Sequence, residues 1–176
     1  MNTTFLIVTL SIVSGPFASL AYAKDAEPVV FVGSYEKVES STGEHCYGYS
    51  VDIWKHDNQL FGLFHYHTGL CGDPPCGVVE VIRYDANKNN LKFNVTTRLS
   101  KFKFSGTLTR EVLTGSLQES LGGNASWKTD IVKLPRKGTR RDDEFYEMTR
   151  SLSQWHERYD SYGRCMGVRE YMKLSK

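Results

Sequence analysis

The chain has 176 residues, 22 basic against 20 acidic, a formal net charge of +2, and 40% hydrophobic residues. That charge balance argues against a bulk polyanion such as nucleic acid as partner, and no stretch approaches the ~20 consecutive apolar residues a membrane-spanning helix needs. The length suits one domain with a core of its own.

The chain opens with an apolar run from Phe5 to Val13, then small residues, then Ala21-Tyr22-Ala23. This is the hydrophobic region and small-x-small cleavage site of a secretory signal. Residues 1–23 are therefore expected to be removed, leaving a soluble periplasmic or secreted product. Position 24 is Lys rather than Cys, which speaks against a lipid anchor. Two glycosylation sequons, Asn94-Val-Thr and Asn124-Ala-Ser, matter only in a eukaryotic secretory route and are left unused, since the leader and composition look bacterial.

Eight segments of β-branched and aromatic residues follow, separated by polar turns: 29–38, 46–55, 60–68, 77–84, 91–96, 101–108, 113–118 and 127–134. Connections such as 56–59, 85–90 and 109–112 are too short for parallel crossovers, so the neighbours are antiparallel. The faces can be tested by parity. A turn at 109–112 sets Leu108 against Leu113, Gly106 against Gly115 and Phe104 against Leu117. Phe102, Phe104, Leu108, Leu113 and Leu117 then share one side and Lys103, Ser105, Thr107, Thr114 and Ser116 the other. The paired glycines suit a sharply bent sheet. Leu91, Phe93 and Val95 alternate with Lys92 and Asn94 in the same way.

A turn around Asp57-Asn58 likewise sets Lys55 against Leu60 and Tyr49 against Tyr66. One face carries Tyr47, Tyr49, Val51, Ile53, Leu60, Phe64 and Tyr66 and should point inward. The other carries Ser50, Asp52, Trp54, Phe61, Leu63, His65 and His67. The stretch FHYHTGLCGDPPCGV, residues 64–78, thus puts its two histidines outside the wall. Zinc needs further ligands in near-tetrahedral placement. Cysteines in an exported chain are oxidised rather than ligating. No metal or other cofactor is therefore expected.

The four cysteines should form two disulfides. The preferred pairing is Cys71–Cys76 across the Pro74-Pro75 turn, with Cys46–Cys165. The rival, Cys46–Cys71 with Cys76–Cys165, stays open because the hairpin register brings Cys46 near Gly69. Either way the loop 69–77 should be rigid.

Beyond it, Lys133, Arg136, Lys137, Arg140 and Arg141 cluster beside Asp142, Asp143 and Glu144 without interleaved aromatics, and read as a solvated linker. The period then changes. Phe145, Met148, Leu152, Trp155 and Tyr159 recur at helical spacing, with Thr139 as cap and Gly163 as stop. The helix should lie on the outer hairpin face at Trp54, Phe61 and Leu63. The expected layout is a mainly β domain: an eight-stranded antiparallel up-and-down barrel over 24–138, with a helix and tail over 139–176 packed on its outside.

This order resembles the calycins, the lipocalin and avidin-type barrels, whose first strand often begins Gly-x-Trp. Here Val32-Gly33-Ser34-Tyr35-Glu36 is similar, with Tyr in place of Trp. The resemblance implies that Tyr35 plugs the barrel floor under a basic residue from a late strand, with Lys133 the nearest assignment. It also implies a ligand cavity.

Fold does not give function. The inward rings and their neighbours, Tyr47, Tyr49, Val51, Ile53, Phe64, Tyr66, Phe93, Phe102 and Phe104, suit a small, largely apolar ligand with a few polar contacts. The first expectation is an exported binding protein for such a ligand. The alternative is a filled barrel that contacts a protein partner, as a periplasmic inhibitor would, through Gly72, Asp73, Pro74 and Pro75. No Ser-His-Asp order, paired carboxylates or phosphate loop stands out, so an enzyme ranks third.

Overall fold

The computed structural model describes residues 28–41, 43–121, 126–138, 151–160 and 165–168. The signal segment, the sequon at Asn124, and the helical positions Thr139, Phe145, Met148 and Gly163 lie outside them.

Eight strands form the wall: β1 (Val30–Ser40), β2 (His45–His56), β3 (Gln59–Leu70), β4 (Cys76–Asp85), β5 (Asn90–Thr96), β6 (Ser100–Leu108), β7 (Val112–Leu121) and β8 (Lys128–Lys137). Each pairs antiparallel with the next, and β1 pairs with β8, so the sheet closes as an up-and-down barrel, with one helix outside it among the described residues. The expected strands are all present, within a few residues of their expected ends. The registers also agree: Lys55 faces Leu60, Tyr49 faces Tyr66, Leu108 faces Leu113 and Phe104 faces Leu117. Asp57 and Asn58 both adopt positive φ, 47° and 61°, as a two-residue hairpin turn of matching twist requires.

The turns after β2, β4 and β6 gather at one end, the floor, with the start of β1 and the end of β8. The connections after β1, β3, β5 and β7 gather at the other, the mouth. At the floor Tyr35 is fully buried and its hydroxyl donates to the Thr109 carbonyl at 3.0 Å. The basic partner is Arg136, not Lys133. Arg136 stands opposite Tyr35 in the β1–β8 pairing, and its Nη1 donates to the Val32 carbonyl at 2.7 Å. Lys133 has the opposite parity and is exposed. The basic cluster is thus no linker over its first half: Lys133, Arg136 and Lys137 belong to β8, while Arg140 and Arg141 lie outside the described residues.

The interior rests on rings in contact. Phe64 and Phe102 lie 4.7 Å apart between centroids, and Phe93 and Phe104 stack at 4.8 Å. Gly106 and Gly115 make room for one of these rings. A Cβ at either would come within 2.7 or 2.9 Å of Phe104 Cζ.

A second apolar cluster lies outside the wall. Helix α1 (Leu152–Asp160) sets Trp155 against Phe61 at 5.1 Å and against Trp54 at 5.9 Å, with Leu63 and Val78 beside them. The helix lies where expected, and among the described residues it starts later. Ser151 is its cap: Ser151 Oγ accepts the Gln154 N–H at 3.2 Å. Among the described residues no helix is long and apolar enough to cross a membrane.

The preferred disulfide pairing is wrong and the rival is right: Cys46–Cys71 and Cys76–Cys165. Cys46 faces Gly69 in the β2–β3 ladder, so Cys71, two residues on, reaches it before it can reach Cys76. Cys76 is already in β4, opposite His65, and a two-residue strand β9 (Cys165–Met166) runs parallel beside it. The sequence offered no signal for β9.

Cys76–Cys165 closes 89 residues of chain and Cys46–Cys71 closes 25. In the chain-entropy model, replacing both members of the first bridge by Ser costs about 4–5 kcal/mol and of the second about 3–4 kcal/mol. Urea unfolding of the two double variants checks that order. Trp155→Ala, which empties the junction of helix and wall, is expected to cost about 3–5 kcal/mol in the same assay.

Candidate functional site

The barrel does not close along its whole height. β1 and β8 pair only at Ser34–Lys137 and Tyr35–Arg136, close to the floor. Above that point the two strands diverge, and a lateral cleft of about 470 Å³ opens between them. Its walls come from Lys37 and Glu39 of β1, Tyr47 to Tyr49 of β2, and Asp130 to Leu134 of β8.

The expected ligand-lining residues divide between two environments. Val51, Ile53, Phe64, Phe93, Phe102 and Phe104 are each at most 3% exposed and pack into one cluster. Tyr49 and Tyr66 sit above them, stacked at 5.7 Å and both in edge contact with Phe102. Tyr49 forms the inner wall of the cleft. Tyr47 does not point into a core. It is 51% exposed, because it lies one inward step nearer the rim, where the wall ends.

The mouth also holds inward-facing acids. β7 parity carries on past Leu117 to Glu119, which is 7% exposed and accepts the Ser100 hydroxyl at 2.8 Å. β8 parity puts Asp130 on the inner side with Val132 and Leu134. Tyr49 donates to Asp130 Oδ2 at 3.5 Å, and Lys128 Nζ donates to the same oxygen at 3.2 Å. Burial raises the Tyr49 phenol strongly, and the nearby Asp130 and Glu119 carboxylates push the same way. Burial and then Glu119 raise Tyr66 likewise. Both rings therefore stay protonated at neutral pH and offer O–H donors at the top of an apolar stack. Sequence reasoning stopped β7 at Gln118 and so missed Glu119. Following the same alternation one step further finds it.

The histidines lie on the outer face of β3, as parity predicts. His65 Nε2 is 3.6 Å from Asp52 Oδ2, and His67 Nε2 is 3.1 Å from Ser50 Oγ. Among the described residues no three His, Cys, Asp or Glu side chains gather as a metal site would need. Burial lowers the His67 pKa, His65 lowers it further, and Glu36 opposes both.

The loop 69–77 is braced along its length, and Cys76 at its end is bridged to Cys165. Cys71 is bridged to Cys46, Cys71 N donates to the Glu44 carbonyl at 2.9 Å, Tyr66 N donates to the Pro75 carbonyl at 2.8 Å, and Arg98 meets Asp73 Oδ2 at 3.6 Å. Gly72 and Asp73 are exposed, Pro74 is half-buried and Pro75 is buried, so only part of the expected contact surface is presented.

Compared with known protein families, curated proteins and solved structures, the chain has no match. The chemistry of the cleft rests on its geometry.

One pH dependence follows from His67. Its folded value lies below the unfolded one of about 6.5, so the neutral ring's contribution is complete above that pH. It is lost as pH falls from there toward the folded value. His67→Gln keeps a partner for Ser50 and removes the titration. The loss of stability between pH 7.5 and pH 5 in urea unfolding is then expected to be smaller in the variant than in the native chain.

Proposed function

We propose that the protein is an exported binding protein for a small, largely apolar ligand, seated in the lateral cleft at the mouth of the barrel. The observation that carries this reading is the cleft of about 470 Å³, walled by Tyr49 over a packed aromatic floor. Its volume falls within the usual range for small-molecule sites, and its wall sets the apolar faces of Tyr47, Tyr49, Val132 and Leu134 beside the charged Lys37, Glu39, Asp130 and Lys133. Tyr49 and Asp130 would orient a polar head, and Val132 and Leu134 would meet the apolar body. Tyr47, Leu70, Leu99 and Leu121, all 48% exposed or more, ring the same end and give an apolar approach. The two disulfides suit an oxidising compartment, which supports export.

The ligand belongs in the seam rather than deep in the barrel, because the lower interior is occupied by its own rings. The alternative, contact with a protein partner through the loop 69–77, draws support from the bracing of that loop, since a segment already held in place loses little freedom on binding. Within that loop Leu70, Gly72 and Asp73 are exposed, while Pro75 is buried and Asp73 is already engaged by Arg98.

The neutral probe N-phenyl-1-naphthylamine tests the cleft. It is expected to bind the mature chain with enhanced fluorescence. Tyr47→Lys, at the exposed rim, should weaken binding about tenfold, roughly 1.4 kcal/mol. Ile82→Lys, equally exposed but on the far wall, should leave it within about twofold. Equal affinities for both variants would remove the cleft as the site.

A further inference from the structure

The walls of the cleft include two strand edges. β1 runs on to Ser40 and β8 reaches back to Lys128, yet only two residue pairs join them. Among the described residues, neither Lys37 to Glu39 nor Asp130 to Leu134 has a strand partner on the seam side. An edge strand presents free N–H and C=O groups along that side, a template for another strand.

The molecule shows what can become of such an edge. At Cys76 and Gly77, β4 is joined on one side by β3, and β9 adds to it in parallel, tied in place by Cys76–Cys165. The seam has no such cover among the described residues.

Its two edges are not equivalent. β1 turns Lys37 and Glu39 inward, 3.8 Å apart and largely exposed, and inward charges on an edge discourage pairing. β8 turns Asp130, Val132 and Leu134 inward and leaves Ile131 82% exposed on its outer face. β8 is therefore the receptive edge.

We propose that the natural occupant of the cleft is an extended peptide that pairs with residues 130–134 of β8 by strand addition. This rests on the cleft being the binding site and names its ligand class. An added strand alternates as β8 does. Two of its inward side chains fall beside Leu134 and Val132, facing the Tyr49 ring, and call for apolar groups. The next falls beside Asp130, where the Tyr49 hydroxyl lies 3.5 Å from the carboxylate, and calls for a basic group. Lys128 occupies Asp130 at 3.2 Å, but its side chain is 74% exposed, and a surface pair of this kind yields readily to a better-buried cation. The recognised pattern is apolar-x-apolar-x-basic.

The test uses the mature chain and a capped, fluorescein-labelled heptapeptide. Threonine occupies the odd positions, with valine, phenylalanine and lysine at positions two, four and six. Two further peptides carry N-methyl groups on the odd or on the even amides. Only one phase of amides can face β8, so one methylated peptide should bind at least tenfold more weakly by fluorescence anisotropy and the other within about threefold. The parent should also displace N-phenyl-1-naphthylamine. Asp130→Asn should reduce the preference for lysine over norleucine at position six about fivefold. Equal losses in both phases, binding without displacement, or an unchanged preference would each overturn the proposal. Dye binding without peptide binding overturns the peptide alone and leaves the cleft reading intact. Binding of neither removes both.

Discussion

The β2–β3 hairpin is buried on both of its faces, and the rest of the structure depends on its register. On the inside Val51 and Phe64 belong to the core of the barrel, while on the outside Trp54, Phe61 and Leu63 are covered by Trp155. A strand shifted by one residue exchanges its faces completely. Here a slip would put Asp52 and His65 among the phenylalanines and send Tyr49 out under the helix. Few registers are so tightly determined. This one also sets the disulfides, since Cys46 opposite Gly69 carries Cys71 to its partner and leaves Cys76 for the C-terminal tail.

From that register the interior divides by height. Near the floor the inward positions are apolar, the rings meet at contact distance, and Arg136 seals the base over the first strand. Toward the mouth the same inward parity reaches Lys37, Glu39, Glu119 and Asp130. Charged side chains cannot fill a dry core without partners. The upper half of the wall therefore does not close on itself, and β1 and β8 part company just above Tyr35. The cleft is the consequence of apolar residues running out on the inward face before the strands end.

The tyrosine stack stands at that boundary. Tyr49 and Tyr66 rest on Phe102 below and turn their hydroxyls toward carboxylates above. A ring with one apolar body and one polar tip is the side chain that fits such an interface. It is also what gives the cleft two kinds of wall within one small volume.

Period-two alternation was enough to place all eight strands, both tested hairpin registers and the inward set, because each of those depends on neighbours a few residues apart. The outward Trp54, Phe61 and Leu63 and the helical spacing of Leu152, Trp155 and Tyr159 likewise predicted where the helix packs. The same local reading fell short wherever the answer depended on segments far apart in the chain. Arg136 and Lys133 differ only by parity in the last strand, and which of them faces Tyr35 is settled by how the barrel closes across some 100 residues. The partner of Cys76 is 89 residues away, so loop proximity favoured the wrong cysteine. The charges at the inward positions Lys37, Glu39 and Asp130 stand in the sequence of β1 and β8, but nothing in either strand alone says that these two face each other across an open seam. What the sequence by itself determined was the order of the strands and the face each residue takes, which are short-range consequences of alternating polarity. Where the ring stays open, and so where a ligand has room, was decided only by the tertiary closure of the first strand against the last.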